Sequence, residues 1–286
     1  MLAAALTLLV ACAGAPPSSP PTATPTPGVT PSPAPTPGAG FYLRAWQSAA
    51  GGPRDATPWP PVLTISGDQA IEGNVAVPAI YPGPLLIVPN VRPITDDGVR
   101  IITNEAQQLG LLGERGDFTV EQRAEVPRAN IVLVLDGVTH ELVGEPWLDM
   151  RCDAAGRCEA EPGTPEAFAS FFSRLGDLSW LGTDVGPTSM YEPERLAVLV
   201  IPPQQAEPGI RPQLQPWPLE TPLPEFGEPV DGDQARCAIV SGDELDALLP
   251  ALLGANQLTR FVDDQGDIAS LVVRVLVPGE PDDCHS

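Results

Sequence analysis

Apolar positions along the chain fall into short, β-branched runs broken by Pro, Gly and Asp. They predict strands at Phe41–Trp46, Val62–Ser66, Ala70–Val77, Leu85–Val88, Asn130–Leu135, Thr139–Val143, Leu196–Ile201, Arg236–Val240, Leu258–Asp263 and Ser270–Val277. Two runs, Ile131–Leu135 and Leu271–Val277, are almost unbroken, which marks central strands. Asp136-Gly137 after the first run is a hairpin signal, because a two-residue turn of that type needs positive φ.

Helical spacing appears in three places. Asp96–Leu109 has Thr95 as N-cap, acids in its first turn and Gly110 as its stop. Its apolar positions, Val99, Ile102, Ala106 and Leu109, recur every three or four residues. Pro165–Leu175 begins with Thr164 as cap and Pro at the first helical position. Phe168, Phe171, Phe172 and Leu175 form its stripe, which reads as core. Gly242–Leu253 carries a capping-box pattern in Ser241 and Glu244 and ends at Gly254, with Pro250 predicting a kink or early closure. The fold class predicted is α+β, with antiparallel or mixed sheets and about three helices.

The elements suggest two related α+β units: strand, capped helix and strand hairpin over Ile80–Val143, then strand, capped helix and two strands over Cys237–Val277. The expected divisions are a first unit over 41–201, a connector over 202–232 and a second unit over 233–286 packed on the first. The connector holds nine prolines, and Trp217 and Phe226 give it apolar anchors.

The N-terminus reads as an address. Residues 2–11, LAAALTLLVA, are apolar and uncharged, too short to span a bilayer as a mature helix, and fit the core of a secretory signal at 1–11. The run closes on Leu9-Val10-Ala11-Cys12, which resembles the lipobox of bacterial lipoproteins. That resemblance implies that Cys12 becomes the first mature residue and carries a thioether-linked diacylglyceryl group. No basic residue precedes the run, a departure consistent with a natural start upstream of Met1. Residues 12–40 then read as a lipid-anchored, disordered Pro/Thr/Ser-rich stalk. Ten prolines fall within 16–40, and 1–40 carries no charge, so the segment cannot bury a core. In polyproline II geometry it would hold the folded part up to roughly 90 Å from the anchor. The expected location is the extracytoplasmic face of the cell membrane.

Charge and composition remove several function classes. The 286 residues include 37 Asp+Glu and 15 basic residues, all of them Arg, for a net charge of −22. Nucleic acid phosphates would be repelled. With no Lys there is no Schiff-base or P-loop lysine, and two His, His140 and His285, cannot build a multi-histidine metal site. The acidity itself reads as solubility for an exported domain.

Beyond Cys12, four cysteines remain: Cys152, Cys158, Cys237 and Cys284. An even number outside the cell fits disulfides, and four allow three pairings. The favoured set is Cys152–Cys158, closing a small polar loop, with Cys237–Cys284, pinning a strand to the chain end. The second loop would contribute about 4 kcal/mol on chain-entropy grounds. A zinc site is not expected, because Cys152 and Cys158 are too far apart for a knuckle.

Catalytic signatures are absent: there is no Gly-x-Ser-x-Gly, no Gly-x-Gly-x-x-Gly and no Walker sequence. His140 alternates with Val138 and Leu142 and reads as structural. The acidic groups Asp263-Asp264-Gln265-Gly266-Asp267 and Asp231-Gly232-Asp233 do not match an EF-hand, and turn chemistry accounts for them. No catalytic residue, metal or cofactor is assigned.

The order Ile94–Leu112, Val134–His140, Phe168–Leu175, with the ending Val273–Glu280, resembles the layout of uncharacterised secreted proteins of high-GC bacteria. Over roughly 80–176 the helix, Asp-Gly hairpin, helix order is also similar to the emfourin type of metalloprotease inhibitor. The expected function is a membrane-anchored lipoprotein with a non-catalytic binding or interaction domain for an unknown protein or small-molecule ligand. A protease-inhibitor module and a carboxylate-dependent hydrolase are the alternatives.

Overall fold

A computed structural model describes residues 41–48, 61–73, 75, 81–120, 126–148, 160–203, 209–230 and 235–282. Among them are fourteen strands in two mixed sheets, three α-helices and two 3₁₀ segments, an α+β architecture.

The first sheet has the order β5-β7-β6-β1-β2-β3-β4-β8. Its strands are β1 (Tyr42–Ser48), β2 (Leu63–Ser66), β3 (Gln69–Glu72), β4 (Asn90–Pro93), β5 (Asp117–Phe118), β6 (Arg128–Leu135), β7 (Val138–Gly144) and β8 (Ser189–Met190). All pairings are antiparallel except β5 with β7. The apolar run 131–135 lies in β6, between β7 and β1, and the β6–β7 hairpin turns on Asp136 (φ 51°) and Gly137 (φ 78°). Helices α1 (Asp96–Gln108) and α2 (Pro165–Leu175) cover one face. That core holds Leu43, Ile65, Ile131 and Leu133 from strands, Ile102 and Ala106 from α1, and Phe168 and Phe171 from α2. Phe168 stacks between Phe118 at 5.7 Å and Phe172 at 6.4 Å.

Both helices start where their caps lie. Thr95 Oγ1 accepts from Gly98 N at 3.1 Å, and Thr164 Oγ1 accepts from Ala167 N at 3.3 Å. Gly110 (φ 66°) ends the first; a Cβ there would lie 2.8 Å from Gly163 N, so only glycine fits.

The second sheet has the order β10-β13-β14-β9-β12-β11. Its strands are β9 (Arg195–Ile201), β10 (Leu214–Pro216), β11 (Glu228–Pro229), β12 (Arg236–Ser241), β13 (Arg260–Val262) and β14 (Ile268–Leu276), with α3 (Gly242–Leu253) on one face. Leu196, Val198, Val240, Val273 and Val275 meet Leu245, Leu248 and Leu252 of α3 in a second core. The proline-rich chain between β9 and β12 is built into this core. Trp217 lies edge-on to Phe226 at 5.1 Å and to Phe261 at 6.0 Å, and its Nε1 donates to Thr221 O.

Several elements differ from the sequence reading. Leu85–Val88 is not a strand, and the strand falls instead at Asn90–Pro93. Prolines at 82, 84 and 89 remove ladder donors, so the run fills the second core as irregular chain. Of the strand expected at Ala70–Val77, Gln69–Glu72 is a strand and Gly73 and Val75 are not, while residues 74, 76 and 77 lie outside the described residues. Ser241 makes no side-chain cap: it is the last rung of β12, opposite Arg195, and Gly242 (φ 56°) turns the chain after it. Pro250 does not close α3, which runs on to Leu253. Strand β9, placed by sequence order in the first unit, hydrogen-bonds between β12 and β14 in the second sheet.

Candidate functional site

Directly opposed residues in a ladder point to one side of the sheet. In the second sheet, register therefore builds rows on the side away from α3. One row is Cys237, Leu199 and Val272; the next is Ile239, Ala197 and Arg274. Ile201 and Ile268 extend the surface along β9 and β14. An antiparallel sheet with one wet face ordinarily alternates apolar with polar residues. Here the second side is apolar too, which is why β9 and β14 read as unbroken apolar runs. This side is only partly covered: Cys237, Ser270 and Leu276 on it are buried and Leu199, Ile201 and Ile239 half-buried, while Val272 is 49% exposed and Ile268 43%. Strands about 4.8 Å apart rising about 3.3 Å per residue make the whole β12-β9-β14 face roughly 15 by 20 Å, and its exposed part lies around Val272 and Ile268 of β14.

One end of this face is held by the chain that follows β14. Glu280 is buried with a fully covered side chain. Its Oε1 accepts from Arg274 Nη1 at 2.7 Å and Arg44 Nη2 at 3.0 Å, and its Oε2 accepts from Val277 N at 2.9 Å. Arg195 pairs with Asp282 and donates to the carbonyls of Val277 and Glu280. Tyr42 Oη donates to Pro278 O at 3.3 Å, and burial pushes the Tyr42 phenol up to about 12. The C-terminal turn thus joins β1 of the first sheet to β9 and β14 of the second.

No protein-family model, no curated protein and no solved structure matches the chain.

The sequence-assigned residues lie as follows. Cys237 lies on β12 on the side away from α3, buried and disulfide-bonded, with its partner outside the described residues. Cys12, Cys152, Cys158, Cys284, His285 and Asp231–Asp233 lie outside them as well. His140 opposes Leu133 on β6, on the side facing the first core. Asp263 serves its own turn: its carboxylate accepts from Leu223 N, Gln265 N and Asp267 N at 2.9–3.0 Å. Desolvation raises its pKa, and those backbone hydrogen bonds outweigh it, so the net shift is downward. The Asp177 carboxyl is also lowered, by hydrogen bonds from Ser179. Both are anionic acceptors for turns, the opposite of a proton donor. Among the described residues no group of three His, Cys, Asp or Glu could hold a metal ion, and no helix is long and apolar enough to cross a membrane. Sequence reasoning did not single out the Glu280 cluster, because Arg44 and Glu280 lie 236 positions apart.

Proposed function

We propose that the protein is a lipoprotein moored through Cys12 on the extracytoplasmic face of the membrane, and that its folded part binds a partner without chemical turnover. The anchor rests on Leu9-Val10-Ala11-Cys12 and the uncharged proline-rich segment after it. The binding role is carried by one observation: the partly exposed apolar side of β9 and β14, where Val272 and Ile268 reach solvent. Exposed apolar patches of a few hundred Å² on soluble domains are commonly functional. The partner that fits is a protein presenting its own apolar strip, because a flat sheet face of this width suits extended side-chain rows better than a small enclosed ligand. The contact area is small, so the encounter is weak in solution, and confinement at the membrane raises its effective concentration. Cys284 is the proposed partner of Cys237, in keeping with a chain whose described end, Asp282, is held on Arg195 of β9, in the strand next to β12 and four residues along from the rung of Cys237.

A photo-crosslinking residue placed at Val272 of the full chain, in its own membrane, is expected to trap one defined protein partner, whereas the same residue at exposed Glu244 on α3 traps none. Equal labelling at both positions, or none at either, removes the binding reading. Detergent phase partitioning addresses the anchor separately: Cys12→Ser is expected to move the protein from the detergent to the aqueous phase.

A further inference from the structure

The exposed side of β14 continues sideways to the edge of the second sheet. Register carries the row of Ile268 through Val262 of β13 to Pro216 of β10, and the row of Ser270 through Arg260 to Leu214. These residues lie on the side away from α3, because Phe261 and Gln215, the alternate positions of the same strands, face the second core and the end of α3. Leu214 is 61% exposed, Pro216 is exposed and Val262 half-buried, beside the exposed Ile268 and Val272. Together they form one apolar strip across β10, β13 and β14. Arg260, within it, is half-buried and interacts within the chain. Two strand spacings of about 4.8 Å, and the run from Ile268 to Val272 at about 3.3 Å per residue, make the strip roughly 10 by 13 Å. That is the footprint of a short segment of polypeptide. β10 is the sheet edge, but Pro216 has no N–H to offer a further strand, so the contact is made face-on by side chains.

Charge decides what can approach. The chain carries 37 acids against 15 Arg. Arg44, Arg92, Arg100, Arg174, Arg195 and Arg274 each pair with a carboxylate of the chain itself. At one end of the strip, the turn that joins β13 to β14 exposes Asp264 and Asp267. The carboxylate that holds this turn together is that of Asp263. A second copy of the chain brings the same net charge of −22 and is repelled, as is an anionic lipid surface. A cationic partner is drawn in and meets the acidic end of the strip.

We infer that the partner of this face is a basic protein segment, whose apolar side chains seat on Leu214, Ile268 and Val272 while neighbouring Lys or Arg side chains reach Asp264 and Asp267. This identity of the partner rests on the binding role proposed above and adds its chemical class.

The probes are three short synthetic peptides, alternating Leu with Lys, Leu with Glu and Gly with Lys. Their binding to the full chain in nonionic detergent is read by fluorescence anisotropy. The Leu–Lys peptide is expected to bind, and the other two at least tenfold more weakly. Val272→Ser is expected to weaken the Leu–Lys peptide at least tenfold. Asp264→Asn combined with Asp267→Asn is expected to flatten its salt dependence, as the screening length falls from about 10 Å at 0.1 M to about 3 Å at 1 M. Equal binding of the Gly–Lys peptide, or wild-type binding by Val272→Ser, would mean diffuse charge attraction only and overturn the assignment. Equal binding of the Leu–Glu peptide, or an unchanged salt dependence in the double variant, would overturn it as well, because charge would then select nothing at this strip. The cross-link from Val272 separates the two levels: a trapped peptide without Lys or Arg keeps the binding role and removes the basic segment, whereas no trapped partner removes both.

Discussion

At the scale of single residues, the C-terminal turn concentrates the chemistry. Glu280 answers two guanidiniums and a backbone N–H from a site with no access to water. A buried ion pair adds little against an apolar replacement, but removing one partner strands the other charge. Glu280→Gln is therefore expected to cost about 3 kcal/mol, read as a shift of the urea midpoint at unchanged slope. Tyr42 gives this region a pH signature. Burial is the main cause of its raised pKa, from 10.0 to about 12. A phenol that holds its proton more tightly when folded adds stability that is complete below pH 10 and lost as pH climbs from 10 towards 12, by about 3 kcal/mol at most. Tyr191, buried against the second core, is raised in the same direction, chiefly by desolvation. Lysines, which would ionise in the same window, are absent from the chain. Unfolding free energy followed from pH 9 to 12 is expected to fall in the wild type and to fall much less in Tyr42→Phe; parallel curves would show that the phenol does not carry the limb.

At the scale of elements, two helix starts that look alike in sequence behave differently. Thr95 caps α1 through Gly98 N and also donates to Asp184 Oδ1 at 2.8 Å, tying the helix to the 3₁₀ segment Leu178–Asp184. Ser241 has the same chemistry and the expected Glu three residues on, yet makes no cap bond, because its backbone belongs to the β12 ladder. Thr95→Ala is accordingly expected to cost about 1 kcal/mol, and Ser241→Ala less than about 0.5 kcal/mol, in chemical denaturation. Equal losses would mean that Ser241 caps α3 in solution. The same contrast explains what could be read early. Thr95, Thr164 and Gly110 act within a turn of their own position, so both helix boundaries were legible to within a residue. The two-residue strands β5, β8 and β11 carry no period of their own and exist only because a neighbouring strand offers them a ladder. Leu85–Val88 has strand-like composition, but its flanking prolines and a core to fill decided otherwise.

At the scale of the whole molecule, the two sheets are fastened by residues far apart in the chain: Arg44 with Glu280, Tyr42 with Pro278, and Pro84 with Asn256 through an isolated bridge. The Cys237 disulfide lies on the same second sheet, on the side away from α3. If Cys284 is its partner, peptide mapping without reductant will recover the two joined, and Cys284→Ser will lower stability by about 2–4 kcal/mol, as dithiothreitol does in the wild type. A cross-link from Cys237 to Cys152 or Cys158 instead would discard that pairing and with it the fastening of the chain end beside β9.

The order of residues alone determined the class of fold, the span of all three helices, the Asp136-Gly137 hairpin, the central places of β6 and β14, and the apolar-run-plus-cysteine signature at the N-terminus. Each of these depends on groups within a few positions of one another, where spacing and turn chemistry act directly. Only the tertiary structure decided that β9 crosses into the second sheet, that Glu280 meets Arg44, that Thr64 and Asn130 are enclosed on one face, and that Val272 and Ile268 on the far side of β14 stay exposed. Those outcomes arise from ladder register and from competition between distant segments for the same apolar surface, and no local pattern encodes which segment prevails.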